Sequence, residues 1–236
     1  MKLALTLLLP VHLLSPKTDM PNVEKRFPQE FKEAKTYVTL HRSLFTRCSR
    51  KTQKSNAFAA AIVFPELMRY SLIKDFFEVE ALSVSYIKLG AENVDFSIGP
   101  FQMKPSFAEH IESQVMQDEH LKTQFYYLRY NAKLNERGVR SERLKRLQSV
   151  ERCIEYLEAF IAICDKRFTS LTFIDETEKV GFYANAYNAG FLKSIPYLQT
   201  IKAQRNFPYG VNFKGEQYAY ADVAAYFYKY HSSLLN

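Results

Sequence analysis

The sequence predicts an all-α chain folded as one helical domain, preceded by a polar N-terminal extension. Three observations predict it. Only 7 of the 236 residues are Gly against 19 Phe and 16 Tyr, which suits aromatic-rich helices better than a glycine-rich barrel. Apolar residues recur at helical spacing through most of the chain from Ala57 onward. Neither a repeat nor a low-complexity tract nor a linker divides it, and 47% hydrophobic content excludes a disordered chain and supports a sizeable core.

The elements follow in order. Met1 and Lys2 precede an apolar run from Leu3 to Leu14, the pattern of a secretory signal over residues 1–15, too short to span a bilayer. Residues 16–56 are polar and basic and carry three prolines, which reads as an extension packed loosely on the domain. Arg42, Arg47, Arg50, Lys51 and Lys54 then form a solvated face. The domain proper is expected over 57–236.

Ala57 to Val63 is small and apolar enough for a buried helix. Pro65 either starts a new helix or kinks a continuing one. Between Asp75 and Gly90, residues Val79, Leu82, Tyr86 and Leu89 fall on one helical face, with Gly90 as the cap. Pro105 opens another helix, Leu121 to Leu134 reads as amphipathic, and Glu142 to Phe168 reads as one long helix. The basic cluster Arg137, Arg140, Arg143, Lys145 and Arg146 is mixed with acids and reads as a solvated face. No motif of a nucleic-acid reader accompanies it, so nucleic acid is not the expected partner. A final aromatic helix spans Glu216 to His231.

The cysteines at 48, 153 and 164 make no disulfide framework. Cys153 and Cys164 share one predicted helix, where eleven residues correspond to roughly 16 Å of rise, too far for a bond. The five His show no ligand spacing, so neither a metal nor another cofactor is expected.

Two stretches carry chemistry. Ser97-Ile98-Gly99-Pro100-Phe101-Gln102-Met103-Lys104-Pro105 is a rigid turn that brings backbone close to a neighbour and aims one amide, Gln102. Gly181 to Gly190 holds small residues at 181, 184, 186 and 189 for a close helix contact, with Tyr183, Tyr187, Asn185 and Asn188 available to a cleft. Upstream lies Phe64-Pro65-Glu66, a lone acid in an apolar setting. At a helix N-terminus its anion would be favoured; near the end of a buried helix, kinked or terminating there, desolvation would raise its pKa, and the second placement is expected.

Glu66, the Ser-x-Gly-Pro-Phe-Gln turn and Ala186-Tyr187-Asn188-Ala189-Gly190 together resemble the lytic transglycosylase branch of the lysozyme-like superfamily, over about Ala57 to Gly190. Leu67 stands where that family has Ser after its Glu. Pro100-Phe101 replaces Leu-Met, and the spacing from Glu66 to Gln102 is long. The resemblance implies a lysozyme-like helical fold and cleavage of the β-1,4 bond between N-acetylmuramic acid and N-acetylglucosamine in peptidoglycan. It implies Glu66 as catalytic acid and base, with Tyr187 reaching toward it. Ser97, Gln102, Tyr187 and Asn188 would bind the glycan, with no cofactor. It further implies an exported, periplasmic or extracellular enzyme of the bacterial envelope.

Candidate second carboxylates for a lysozyme-type hydrolase are Glu78 and Asp95. A non-catalytic glycan-binding relative is the other alternative. With no Trp in the chain, sugar stacking would fall to Tyr and Phe. A net charge of +7 suits contact with an anionic envelope surface.

Overall fold

The computed structural model describes residues 20–72, 77–208 and 215–236, with the side chains of 71, 72 and 77–79 excepted. The signal-like run, the Glu78 side chain and part of the Asn206–Asn212 turn therefore lie outside the described residues.

The described chain is mostly helical. In order, the α-helices are α1 (Val23–Arg26), α2 (Pro28–Leu40), α3 (Arg42–Thr52), α4 (Phe58–Leu72), α5 (Phe77–Leu89), α6 (Pro105–Gln117), α7 (Glu119–Gln124), α8 (Glu136–Gln148), α9 (Val150–Arg167), α10 (Glu176–Ala189), α11 (Ile195–Ile201) and α12 (Tyr220–His231). A short antiparallel pair, β1 (Arg205–Phe207) and β2 (Tyr218–Ala219), precedes α12. The starts follow local chemistry: Asn135, Ser149, Asp175 and Ser194 each cap a helix N-terminus with the side chain, and Pro28 and Pro105 occupy first turns.

At the centre α4 packs on α2, α10 and α12. Phe64 of α4 stacks on Phe227 of α12 with ring centroids 4.0 Å apart, and Phe31 of α2 meets Phe64 at 4.9 Å. The small residues of α10 serve the close contact expected of them. A Cβ added to Gly181 would lie 3.2 Å from the Ala221 carbonyl oxygen of α12. Gly90, at φ 83°, ends α5 with its N–H on the Tyr86 carbonyl, as the sequence indicated.

Five expectations need correction. The N-terminal segment is not loosely packed: Val23, Phe31, Ala34, Val38, Phe45 and Cys48 are fully buried in the same core as α4 and α12. Its apolar residues recur at helical spacing beneath a basic composition, so the charge hid an amphipathic pair. Nor is its basic face wholly solvated, since Lys51 pairs with the buried Glu158 at 3.0 Å.

The long helix from Glu142 to Phe168 is in fact two, α8 and α9, broken at Ser149, whose side chain caps α9. Within α8, Arg143 and Arg146 are buried, not solvated. Arg143 grips Glu112 of α6 through Nε and Nη2 and also meets Glu109 and Tyr86. Arg146 donates to the Leu128 and Arg129 carbonyls. They tie α6 and the Leu128 turn to α8. Residues 121–134 likewise give no continuous helix: α7 ends at Gln124 and a single 3₁₀ turn, Tyr126–Leu128, follows.

The three cysteines are free and buried, with Cys153 and Cys164 both on α9, as expected.

The turn after α5 is fixed by Gly99. It adopts φ 64°, and a Cβ there would fall 2.7 Å from the Leu147 carbonyl oxygen at the end of α8. Gly99→Ala should lower stability by roughly 2 kcal/mol or more, from left-handed strain plus a backbone clash. Urea denaturation measures this; a loss under about 0.5 kcal/mol, the range of neutral surface changes, would show that the turn can move away.

Candidate active site

Helix α4 continues through Pro65, which removes one N–H from the helical ladder without ending the helix. The sequence reading put Glu66 near the end of a buried helix; the helix is buried as expected but runs on to Leu72, so Glu66 lies in its body. It is 4% exposed. The Tyr220 hydroxyl, from the first turn of α12, donates to Glu66 Oε1 at 3.1 Å. Arg69, one helical turn along, places Nη1 at 3.3 and 3.4 Å from the two carboxylate oxygens.

Burial pushes the Glu66 carboxyl above the usual carboxylate range, and Arg69 and the Tyr220 hydrogen bond pull it back only in part. Arg69 has a side chain 31% exposed, so water screens its charge. Desolvation wins.

The turn opposite is held by an isolated bridge between Ile98 and Met103. Ile98, Phe101 and Met103 all point into the core, and Phe101 lies against Phe45 with centroids 6.1 Å apart. The remaining side chains, Ser97 and Gln102, consequently face the cleft. Gln102 adopts φ 48° and anchors its own amide, with Nε2 donating to the Gly99 carbonyl at 2.8 Å. That hydrogen bond fixes the direction in which the amide points.

A cavity of about 620 Å³ joins these parts. Glu66, Asp95, Ser97, Gln102, Tyr187 and Asn188 all line it, so six of the seven predicted site residues come together. The seventh, Glu78, has its side chain outside the described residues.

Two residues take roles different from those expected. Tyr187 is buried against Phe107 and Phe160, and its hydroxyl donates to the Phe101 carbonyl at 2.8 Å. It thereby ties α10 to the Gln102 turn, while the hydroxyl on Glu66 is that of Tyr220. Asp95 accepts from Ser106 N at 3.1 Å and from Ser106 Oγ at 2.8 Å, capping α6 from across the cleft. Both of its oxygens are engaged.

The sequence reading did not single out Arg69 or Tyr220. Arg69 had a signal, because an acid and a base three residues apart share one helical face. Tyr220 was visible only as one of several tyrosines in the last helix; long-range packing selected it. Lys104, His110 and Lys193 also line the cavity without having been singled out.

No protein-family model, curated protein or solved structure matches the chain. Among the described residues no group of His, Cys, Asp and Glu is arranged to hold a metal ion, and no helix is long and apolar enough to cross a membrane.

A stability prediction follows from Glu66. The folded state holds its proton more tightly than the unfolded chain, whose carboxyl titrates near about 4.3. The stabilisation that comes with this proton is complete below that value and is lost as pH rises through the folded pKa. Glu66→Gln, which carries no titrating group, should gain stability over the native chain as pH rises and lose that advantage near about pH 4. Urea midpoints across this range test it. A difference independent of pH would mean that burial does not perturb Glu66.

Proposed function

We propose that this chain cleaves the β-1,4 bond between N-acetylmuramic acid and N-acetylglucosamine in peptidoglycan, by lytic transglycosylation with Glu66 as its one catalytic carboxyl group. The observation that carries the reading is a desolvated carboxyl group held in a cavity lined by the Ser97–Gln102 turn and by Tyr187 and Asn188. A lysozyme-like helical domain is the fold this reading assigns, and the envelope is where such a substrate lies, which agrees with the signal-like Met1–Leu14 pattern.

The chemistry uses the chain's own groups. Glu66, whose pKa burial raises, gives its proton in its protonated form to the glycosidic oxygen as the bond to the anomeric carbon breaks. The positive centre left on the sugar faces the new Glu66 anion. Arg69 and the Tyr220 hydroxyl stabilise that anion, and so favour the state formed after the proton leaves. The carboxylate then takes the proton of the sugar's own 6-hydroxyl, whose oxygen closes onto the anomeric carbon as a 1,6-anhydro ring. Ser97, Gln102 and Asn188 orient hydroxyl and N-acetyl groups from the cavity wall.

The hydrolytic alternative needs a second carboxylate free to activate water. Of the two candidates, Asp95 lines the cavity but caps α6 through Ser106, which speaks against Asp95 as that group; the Glu78 side chain lies outside the described residues.

Digestion of purified sacculi with mass analysis of the fragments tests the reading. Anhydro ends, about 18 Da lighter than hydrolytic ends, are expected. Glu66→Gln should lower turnover by at least roughly 10²-fold. A folded Glu66→Gln protein with native turnover rules Glu66 out as the acid, and binding without any cleavage by the native chain makes it a glycan-binding protein.

The pH profile carries a further expectation. A general acid works in its protonated form, so activity should fall as pH rises through the Glu66 pKa. Tyr220→Phe removes a hydrogen bond that favours the anion, and should move this alkaline limb to higher pH. An unmoved limb would assign it to a different group.

A further inference from the structure

Arg69 lines two cavities at once. Besides the main cleft it borders a second space of about 130 Å³, together with Asn188, Asn206, Phe207, Pro208 and Tyr220. Arg69 and Asn188 are common to both, so the cleft extends past Glu66 toward β1 and Arg69 stands where the two spaces adjoin. Its contact with Glu66 is long for a charge-assisted pair, at 3.3 and 3.4 Å through one nitrogen. Its Nε is buried and has no hydrogen-bond partner among the described residues. The guanidinium thus keeps donor capacity that Glu66 does not use.

The charges around it are unequal. Arg69, Lys104 and Lys193 line the main cavity, together with His110, against Glu66 and Asp95. Lys104 lies 3.8 Å from Asp95, and Lys193 is exposed over the Tyr197 ring. When Glu66 holds its proton, Arg69 has lost its counter-charge in a site only partly open to water. An arriving anion would replace that charge and use the guanidinium fork.

Resting on the glycan reading above, we infer that Arg69 is a specificity-determining residue that binds a carboxylate carried by the glycan strand, at the junction of the two cavities. That carboxylate comes either from the lactyl group of a peptide-free muramic acid or from an attached peptide. The chemistry at Arg69 is the same for both. A neutral glycan lacking any carboxylate leaves Arg69 with its weak hold on Glu66 alone, and should bind less well.

Calorimetric binding to the full chain tests this with three short glycans. One carries a free lactyl carboxylate, one an acidic peptide, and one has the lactyl group converted to its simple amide. The native chain should bind at least one carboxylate form about 10-fold more tightly than the amide, a difference of about 1.4 kcal/mol, and the preferred form identifies the source. Arg69→Gln should abolish that preference, weakening the carboxylate forms about 10-fold more than the amide. Arg69→Lys, which keeps the charge, should retain part of it.

Equal binding of all three by the native chain, or an equal loss for all three in Arg69→Gln, would overturn the inference. Binding of none of them overturns it as well. Circular dichroism confirms that the variants fold, and Arg69→Lys serves in place of Arg69→Gln if the latter does not. Cleavage is scored separately on sacculi. A chain that prefers the carboxylate but cuts nothing keeps this inference and loses the enzymatic one; a chain that cuts without preference does the reverse.

Discussion

Glu66 sits where α4 meets α10 and α12. The Tyr220 hydroxyl and the Arg69 guanidinium donate hydrogen bonds to it. Removing a carboxylate from water costs several kcal/mol even after relaxation, and a partly exposed arginine returns little of that. The unmet remainder appears as a carboxyl pKa above its usual range. The surrounding core packing brings the walls of this site together. The Phe64–Phe227 stack fixes α4 on α12, and Tyr187 hooks α10 to the Phe101 carbonyl, so that two helices and a turn close around one acid.

The turn contributes through opposed faces. Ile98, Phe101 and Met103 are anchored in the core, which leaves Ser97 and Gln102 no direction but the cleft. Gly99 permits the approach to Leu147, and Asp95 pins the start of α6 beside it. α8, held to α6 through Arg143 and Glu112, in turn backs the turn from behind. The buried Arg143–Glu112 pair is thus a structural brace beneath the site. A charge cluster that looks like a solvated face in the sequence is in part the scaffold.

What could be read from the sequence divides by range. Local signals were sufficient for the helical class, the Gly90 cap and the close-packed face at Gly181. Turn chemistry and small-residue spacing singled out the two stretches that hold Ser97, Gln102 and Asn188, whereas their grouping with Glu66 came from the family resemblance; all four line one cavity. Partners far apart in the chain were not legible. Nothing near Tyr220 separates it from Tyr218, Tyr226 or Tyr228, yet only its hydroxyl reaches Glu66 across 154 residues. The burial of Phe31, Phe45 and Arg143 was hidden for a related reason. Composition averages over a helix, whereas burial is decided face by face.

The same logic explains why a stability cost persists at Glu66. A glutamine there would satisfy Tyr220 as an acceptor and would carry no charge to desolvate, so packing alone does not call for an acid. Nor does the Arg69 pair, since an exposed partner at 3.3 Å contributes little and another residue could shield it better. An acid in this position has a use when its proton must be both available near neutral pH and transferable. Burial works toward the first property by raising the carboxyl pKa. Arg69 and Tyr220 work toward the second, because both favour the anion. Stronger partners would ionise it permanently, and weaker ones would leave it inert. The intermediate strength seen here, one long guanidinium contact and one hydroxyl, is the arrangement that leaves both states of the carboxyl group accessible.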